Sequence, residues 1–142
     1  MRIEIELPWP PKELSPNARA HHMARARAAK QYRADCWALS VKALAGRSDW
    51  RRYPGRMHLW LTFEPPDRRK RDDDNPPAAF KSGRDGLADA LGIDDSRFIA
   101  HPFLSSTVHK GGRVKVVITD GPDPNDSDWQ WGDPWPGEQI NG

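Results

Sequence analysis

Residues 57–77 read MHLWLTFEPPDRRKRDDDNPP, and most of the fold follows from this stretch. Apolar side chains occupy every second position along residues 57–63, which is the pattern of a strand with one buried face. The two prolines at 65–66 end the strand because a proline nitrogen cannot donate a hydrogen bond to a sheet. Residues 67–74 are too charged for a core, and Asn75 followed by two prolines is typical of a helix N-cap. The stretch therefore predicts a strand, an exposed charged loop and a helix, in that order.

A strand and a long helix are predicted upstream of this stretch. Residues 2–7 alternate apolar and charged side chains, and the prolines that follow end the strand. Ser15-Pro16-Asn17 is typical of a helix start, and the segment from there to about Ala45 is rich in alanine, arginine and lysine and contains no internal glycine. We expect the buried stripe of this helix at Ala29, Tyr32, Cys36, Leu39 and Ala43.

A second helix and a hairpin are predicted downstream. The helix runs from Asn75 to about Leu91, with Phe80, Leu87 and Leu91 facing inward and Gly83 and Gly86 allowing close packing. Residues 98–109 and 114–119 then predict two strands that pair as a hairpin around the glycine turn at 110–113. The expected fold is α+β, in the order β-α-β-α-β-β, with a small mixed sheet packed against two helices in two layers.

Length and composition bound the domain organisation. The chain has 142 residues, and we expect one domain over residues 1–120 and an acidic, disordered tail over residues 121–142. No apolar run approaches the roughly 18 residues that a membrane span needs. The single cysteine, Cys36, cannot form an intramolecular disulfide, which fits a reducing compartment. We therefore expect a cytoplasmic protein with no membrane association.

The charges are distributed unevenly along the chain. All 22 lysines and arginines lie at or before Lys115, whereas the chain from Asp120 onward has six acidic residues and no basic one. Residues 1–119 thus combine 22 basic with 14 acidic residues, a net charge of +8. A basic body favours a polyanionic partner, nucleic acid first and an acidic membrane surface second, but a solvated charged surface explains the charge equally well. The acidic tail either covers the basic surface as a mimic of nucleic acid or serves solubility alone.

Acidic residues directly follow four consecutive basic ones, Arg68–Arg71. If the segment is extended, Asp72 and Asp74 project to the same side, and their mutual repulsion calls for a partner of opposite charge. Mg²⁺ or Mn²⁺ meets that need through carboxylate and water oxygens, whereas the prolines at 76–77 exclude a calcium EF-hand loop. A metal-dependent nuclease needs cations that hold phosphate beside carboxylates that hold metal. The alternative is a charged surface loop whose acids neutralise the neighbouring bases.

Together these residues resemble the RusA-type Holliday junction resolvases, which are short dimeric endonucleases of bacteria and their phages. Arg71-Asp72-Asp73-Asp74-Asn75 matches the family's R-D-x-D-N motif, and Ile93-Asp94-Asp95 matches its apolar-D-D motif. The helix between the two motifs ends with Asp85-Gly86-Leu87, and Lys110-Gly111-Gly112-Arg113 matches a glycine turn with basic flanks. The resemblance covers about residues 1–119.

The resemblance implies a catalytic site. It places the metal-binding aspartates of the family at Asp72, Asp74 and Asp95. The family's essential lysine follows the motif's asparagine by three residues in some members, where this chain has Ala78, and by six in others, which gives Lys81. Lys81 could equally form a solvent-facing pair with the aspartate one helical turn further on. Asp94, beside the third metal ligand, is expected to cap a turn.

The resemblance also implies an activity and partners. The reaction is hydrolysis of a phosphodiester in branched DNA, such as a four-way junction, with Mg²⁺ or Mn²⁺ as cofactor. A homodimer would present two matching sites to the two equivalent strands of a junction, in the cytoplasm of a bacterium or of a phage-infected host. Eight basic residues are expected to hold the DNA backbone: Arg27, Lys30, Arg68, Arg69, Lys70, Arg71, Lys110 and Arg113.

Two other functions fit the same residues. A non-catalytic DNA-binding or architectural protein would use the basic surface and leave Asp72 and Asp74 as surface charge. A nuclease that acts on flaps or on RNA would keep the site and change the substrate. Metal-dependent cleavage separates an enzyme from the first alternative, and a panel of substrates separates the second.

Overall fold

A computed structural model describes residues 1–120 of the chain. Its helices and strands are β1 (Arg2–Pro8), α1 (His22–Ala43), β2 (Met57–Glu64), α2 (Asn75–Ala79), α3 (Lys81–Leu91), β3 (Phe98–Leu104) and β4 (Arg113–Thr119). Short 3₁₀ turns cover Lys12–Leu14, Asp49–Arg52 and Asp95–Arg97. The predicted mixture of strands and helices and their order along the chain are confirmed. The acidic tail, with the two roles considered for it, lies outside the described residues.

The four strands form one mixed sheet in the order β1-β4-β2-β3. β4 lies between β1 and β2 and is antiparallel to both, while β3 pairs with β2 in parallel. The prediction of a hairpin between residues 98–109 and 114–119 is therefore wrong, since β3 and β4 are not neighbours in the sheet. The helical crossover between β2 and β3 is what makes them parallel neighbours.

The loop after β3 explains how β4 reaches the interior of the sheet. It crosses the end of β2, where the amide of Ser105 donates to the carbonyl of Phe63 at 2.9 Å and the amide of His109 donates to the carbonyl of Pro65 at 3.0 Å. The glycine turn ends this loop, and the backbone at Gly112 has a φ of +73°. A Cβ at Gly112 would lie 2.8 Å from the Cβ of Trp9, so this position also requires glycine for space.

The core lies between one face of the sheet and the helices. Alternate residues of all four strands meet the predicted inward residues of the second helical region, Phe80, Leu87 and Leu91, which are all buried. The predicted stripe of α1 is correct at Tyr32 and Cys36. It is wrong at Leu39 and Ala43, which are exposed, because the stripe continues with a spacing of four residues through Ser40 and Leu44.

The first helix starts later than predicted. α1 begins at His22, not near Ser15, and the imidazole of His21 caps it by accepting from the amide of Met23 at 3.2 Å. The guanidinium of Arg25 donates to the carbonyls of Ser15 and Ala18, which gives the non-helical segment before α1 the hydrogen bonds that a helix would have supplied. Residues 15–20 are therefore a fixed loop on the surface of α1.

The predicted second helix is divided in two. Its N-cap is Asp74 and not Asn75, and two prolines occupy the first turn of α2. The amide of Phe80 bonds to the carbonyls of Pro76 and Pro77, and α3 then begins at Lys81. Because α3 starts afresh there, Lys81 lies at the beginning of a helix that runs along the core.

The face of the sheet that points away from the core is polar at one end and aromatic at the other. Arg113 forms ion pairs with Glu64 and Glu6 across three strands. Further along the face, Trp60 stacks on His101 with ring centroids 4.0 Å apart. Within the described part of the chain, no helix has the length and hydropathy that a membrane span requires.

Gly86 is where the two long helices touch most closely. A Cβ at this position would overlap the carbonyl oxygen of Arg33 and lie 3.0 Å from the backbone nitrogen of Trp37. We therefore expect Gly86→Ala to lower the free energy of unfolding by about 1–3 kcal/mol through overpacking, even though alanine is about 1 kcal/mol better than glycine inside a helix. Urea denaturation measures this change. Ser82→Ala, on the same helix and without such a clash, is the control, and a Gly86→Ala variant as stable as the parent would contradict the close contact.

Candidate functional site

The charged loop after β2 is folded around one arginine. Arg71 donates to the carbonyls of Asp67 and Arg69, and it forms an ion pair with the Asp67 carboxylate at 2.9 Å. Its guanidinium also lies over the ring of Trp9, 5.6 Å from the centroid. Only 14% of the Arg71 side chain is exposed. Arg71, predicted to hold DNA, therefore shapes the loop, whereas Arg68, Arg69 and Lys70 project into solvent.

Contacts within the same loop lower the pKa of Asp67. Its carboxylate accepts a hydrogen bond from the backbone amide of Arg69 at 2.9 Å. This bond, together with the bond from Arg71, holds the pKa of Asp67 below its ordinary value. Asp67 is thus the internal counter-charge of the loop, and it was not singled out from the sequence.

The first acidic motif, residues 72–75, forms a turn and is not extended. The amide of Asn75 donates to the carbonyl of Asp72, and Asp74 has helical backbone angles (φ −87°, ψ −13°) as the N-cap of α2. The extended geometry that would place Asp72 and Asp74 on the same side is therefore not present. All three aspartates, 72–74, are exposed.

Lys81 bridges two carboxylates at the start of α3. Its ammonium donates to Asp85 at 2.6 Å and to Asp95 at 2.8 Å. The two hydrogen bonds raise the pKa of Lys81. In the other direction, the bond from Lys81 holds the pKa of Asp95 below its ordinary value. The structure thus places Lys81 against Asp95, and it also contains the pair with Asp85 that was considered as the alternative.

The second acidic motif is held by its own local contacts. Asp94 caps the 3₁₀ turn, as expected, because its side chain accepts from the amide of Ser96 at 2.8 Å. The Ser96 side chain, and then this amide, hold the pKa of Asp94 below its ordinary value. Arg84 donates to the backbone carbonyl of Asp95 at 3.0 Å and so ties the turn to α3. Asp95 is therefore positioned by its backbone, and its carboxylate is left to face Lys81.

The fit to a divalent cation is partial. Asp72, Asp74 and Asp95 offer the carboxylate oxygens that Mg²⁺ and Mn²⁺ prefer. Among residues 1–120, however, no three His, Cys, Asp or Glu side chains are grouped as metal ligands. In this arrangement the counter-charges of Asp95 are the Lys81 ammonium at 2.8 Å and the Arg84 guanidinium at 3.8 Å. The carboxylate oxygens are suitable ligands for the metal, but Asp72, Asp74 and Asp95 are not arranged as a coordination shell.

A groove of about 990 Å³ lies next to the first acidic motif. One wall is the segment 9–20, and the other is formed by the charged loop and the start of α2, including Asp72 and Asn75. Five basic residues line it: Lys12, Arg19, Arg69, Lys70 and Arg71. The groove therefore combines a predicted catalytic carboxylate with most of the predicted basic run.

The other predicted DNA contacts lie apart from this groove. Arg27 and Lys30 are on the exposed side of α1, and Lys110 is in the glycine turn. Arg113 is engaged by Glu64 and Glu6 on the open face of the sheet, and these contacts raise its pKa further. None of these four, nor Arg68 of the charged loop, is among the residues that line the groove.

Lys12 and Arg19 are groove residues that the sequence reasoning missed. Lys12 lies between the predicted first strand and first helix and was assigned to neither, and Arg19 was assigned to the helix. The signal that could have identified them is the run of prolines at 8, 10 and 11, which excludes a helix and leaves an exposed, rigid segment with basic residues. Asp85, the second partner of Lys81, was considered only as a surface pair.

We expect Lys81→Met to raise the pKa of Asp95 towards the ordinary carboxyl value of about 3.9, because the largest cause of its depression is removed. In the parent protein, the ion pair stabilises the fold when the pH is above the ordinary carboxyl pKa. This stabilisation is lost as the pH falls through the lowered pKa of Asp95. Carbon-detected NMR titration of the Asp95 carboxyl measures the shift. Lys42→Met removes an exposed lysine on α1 as the control, and an unchanged Asp95 titration in Lys81→Met would contradict the assigned contact.

Comparison with known proteins gives one clear relative. No protein-family model matches the chain. An uncharacterized protein of Xylella fastidiosa strain Temecula1 is 46% identical over 119 residues, which cover 81% of this chain and 74% of that protein. Identity at this level over this length shows common descent and a shared fold. The chain belongs to the same family as this Xylella protein.

Proposed function

We propose that the protein is a RusA-type endonuclease that hydrolyses phosphodiester bonds in branched DNA. The observation that carries the proposal is the groove in which basic side chains and Asp72 line the same cavity. Basic side chains bind the phosphates of a DNA strand without reading its sequence, and a carboxylate beside them is what metal-assisted hydrolysis needs. The second support is the contact between Lys81 and Asp95, the two residues that the sequence resemblance assigns to one site.

Each charged side chain of the candidate site has its own role in this proposal. Mg²⁺ or Mn²⁺, held by Asp72, Asp74 and Asp95, would supply a Lewis acid that acidifies a water molecule and neutralises the phosphate. Lys81 is protonated at neutral pH, as lysine ordinarily is, and its carboxylate partners raise its pKa further. Its ammonium is therefore available to stabilise negative charge that develops on the phosphate oxygens. Arg84 keeps the Asp95 backbone fixed against α3 while this happens.

The proposal extends to assembly and location. A four-way junction has two equivalent strands to cut, so a two-fold homodimer with one site in each copy matches its symmetry. Such DNA occurs in the cytoplasm of a bacterium or of a phage-infected host, during recombination, repair or phage DNA processing. The sites of the two copies would act on separate strands of one junction.

One alternative is favoured by a specific observation. Because residues 1–120 contain no assembled group of three metal-ligating side chains, a non-catalytic DNA-binding protein with the same groove is the second candidate. It would bind branched DNA through the basic residues and would not cut it. Cleavage in the presence of a divalent metal separates the two functions.

We expect Asp74→Asn to abolish cleavage of a synthetic four-way junction in Mg²⁺ while it leaves junction binding intact or tighter, because one negative charge is lost beside the DNA. Cleavage is followed on denaturing gels, and binding is followed by fluorescence anisotropy in EDTA. Asp73→Asn, which removes the same charge from the adjacent exposed position, is the matched control and should still cut. Cleavage retained by Asp74→Asn would remove Asp74 from the site, and absence of metal-dependent cleavage by the parent protein would refute the enzyme.

A further inference from the structure

The groove has two rigid walls. On one side, the hydroxyl of Tyr32 donates to the carbonyl of Pro8 at 2.6 Å, and Arg25 holds the carbonyls of Ser15 and Ala18, so α1 anchors the segment 9–20 at both ends. On the other side, Arg71 closes the charged loop on itself through three contacts. The cavity between the walls is therefore a fixed feature of the fold.

Three cations of the groove have no counter-charge within the described part of the chain. Lys12, Arg19 and Lys70 form no ion pair there, whereas Arg71 is neutralised by Asp67. The groove also contains two acids, Glu13 and Asp72, in its lining. The lining thus carries five basic residues against two acidic ones, so the groove is electrostatically suited to a ligand with several negative charges.

Most of the remaining lining is apolar, and Ser15, Asn17 and Asn75 add three polar side chains. Trp9 and four prolines, at positions 10, 11, 66 and 76, contribute surfaces that have no use for phosphate. In duplex DNA the faces of the bases are stacked inside the helix, so a duplex would meet only the cations at the rim. An unpaired strand presents both its phosphates and its base faces, and grooves that combine basic side chains with an aromatic one, here Trp9, are typical of single-strand binding.

We propose that this groove binds a short unpaired strand of DNA and leads it to Asp72. The consequence for the substrate rests on the proposed function. If the protein is the proposed endonuclease, its substrate is branched DNA with an unpaired stretch next to the phosphate that is cut, such as a flap or an opened crossover, and not a fully paired duplex. A volume of about 990 Å³ lies at the upper end of the range of about 300–1,000 Å³ for enclosed ligand sites, which suits a few nucleotides of one strand.

The test measures binding in EDTA, where no cleavage occurs. Fluorescein-labelled oligothymidylate and a fully paired hairpin of equal length are titrated with the full chain, with Lys12→Gln/Arg19→Gln and with Lys42→Gln/Arg52→Gln. The second double variant removes the same two residue types at exposed positions outside the groove lining. We expect the groove variant to bind oligothymidylate about tenfold more weakly. Its log-log salt slope should flatten by about 1.4, since each phosphate contact on a single strand contributes about 0.7.

The control variant should bind oligothymidylate as the parent does, and the groove variant should lose less affinity for the hairpin than for oligothymidylate. Equal losses in the two double variants would overturn the proposal, since they would reflect net charge alone. Equal losses for the two DNAs, or unchanged oligothymidylate binding, would overturn it as well. Failure of the proposed function is distinguishable, because it shows as absent cleavage in Mg²⁺ and leaves these EDTA affinities unaffected.

Discussion

The close contact between α1 and α3 at Gly86 is the constraint on which the rest of the structure depends. It lets both helices lie on one face of the sheet, since any side chain at Gly86 would overlap the backbone of α1. α1 in turn anchors the segment 9–20, and α3 presents Lys81 at its first residue and holds the Asp95 turn through Arg84. The groove and the Lys81–Asp95 pair are thus both positioned by one helix contact.

Local sequence patterns predicted the strands and helices of the fold, but they could not predict which strands pair in the sheet. Alternation identified β1 and β2, and the glycine turn marked the other two strands, although β3 ends at Leu104 and not at residue 109. Nothing in residues 98–119 shows that the loop crosses the end of β2 and delivers β4 to the middle of the sheet. The glycine turn looked like a hairpin because turn chemistry is local, whereas strand neighbours are set by the helical crossover. The start of α1 was placed too early because helix formers continue upstream, and the bonds from Arg25 that fix a loop there join residues seven and ten positions apart.

The candidate site shows a similar division. The resemblance assigned Lys81 and Asp95 to one site without predicting that they pair, whereas the pair of Lys81 with Asp85 was considered as the alternative role of the lysine; the structure contains both contacts. The charge count treated the basic residues as equivalent, but packing separates them into two groups. Arg25, Arg71 and Arg113 satisfy carbonyls and carboxylates of the fold, and Lys12, Arg19 and Lys70 remain uncompensated at the groove. Sequence alone cannot make this separation, because it depends on which acceptors the fold brings to each guanidinium or ammonium group.

The central claim is that the two acidic motifs act together on one divalent cation beside the groove. Paramagnetic broadening of backbone amide signals by substoichiometric Mn²⁺ tests it most directly, because Mn²⁺ broadens signals only near its binding site. The account predicts that the amides of residues 72–75 and of residues 94–96 broaden together at the same Mn²⁺ concentration and recover together in EDTA. Broadening of one motif without the other, or of neither, would contradict it.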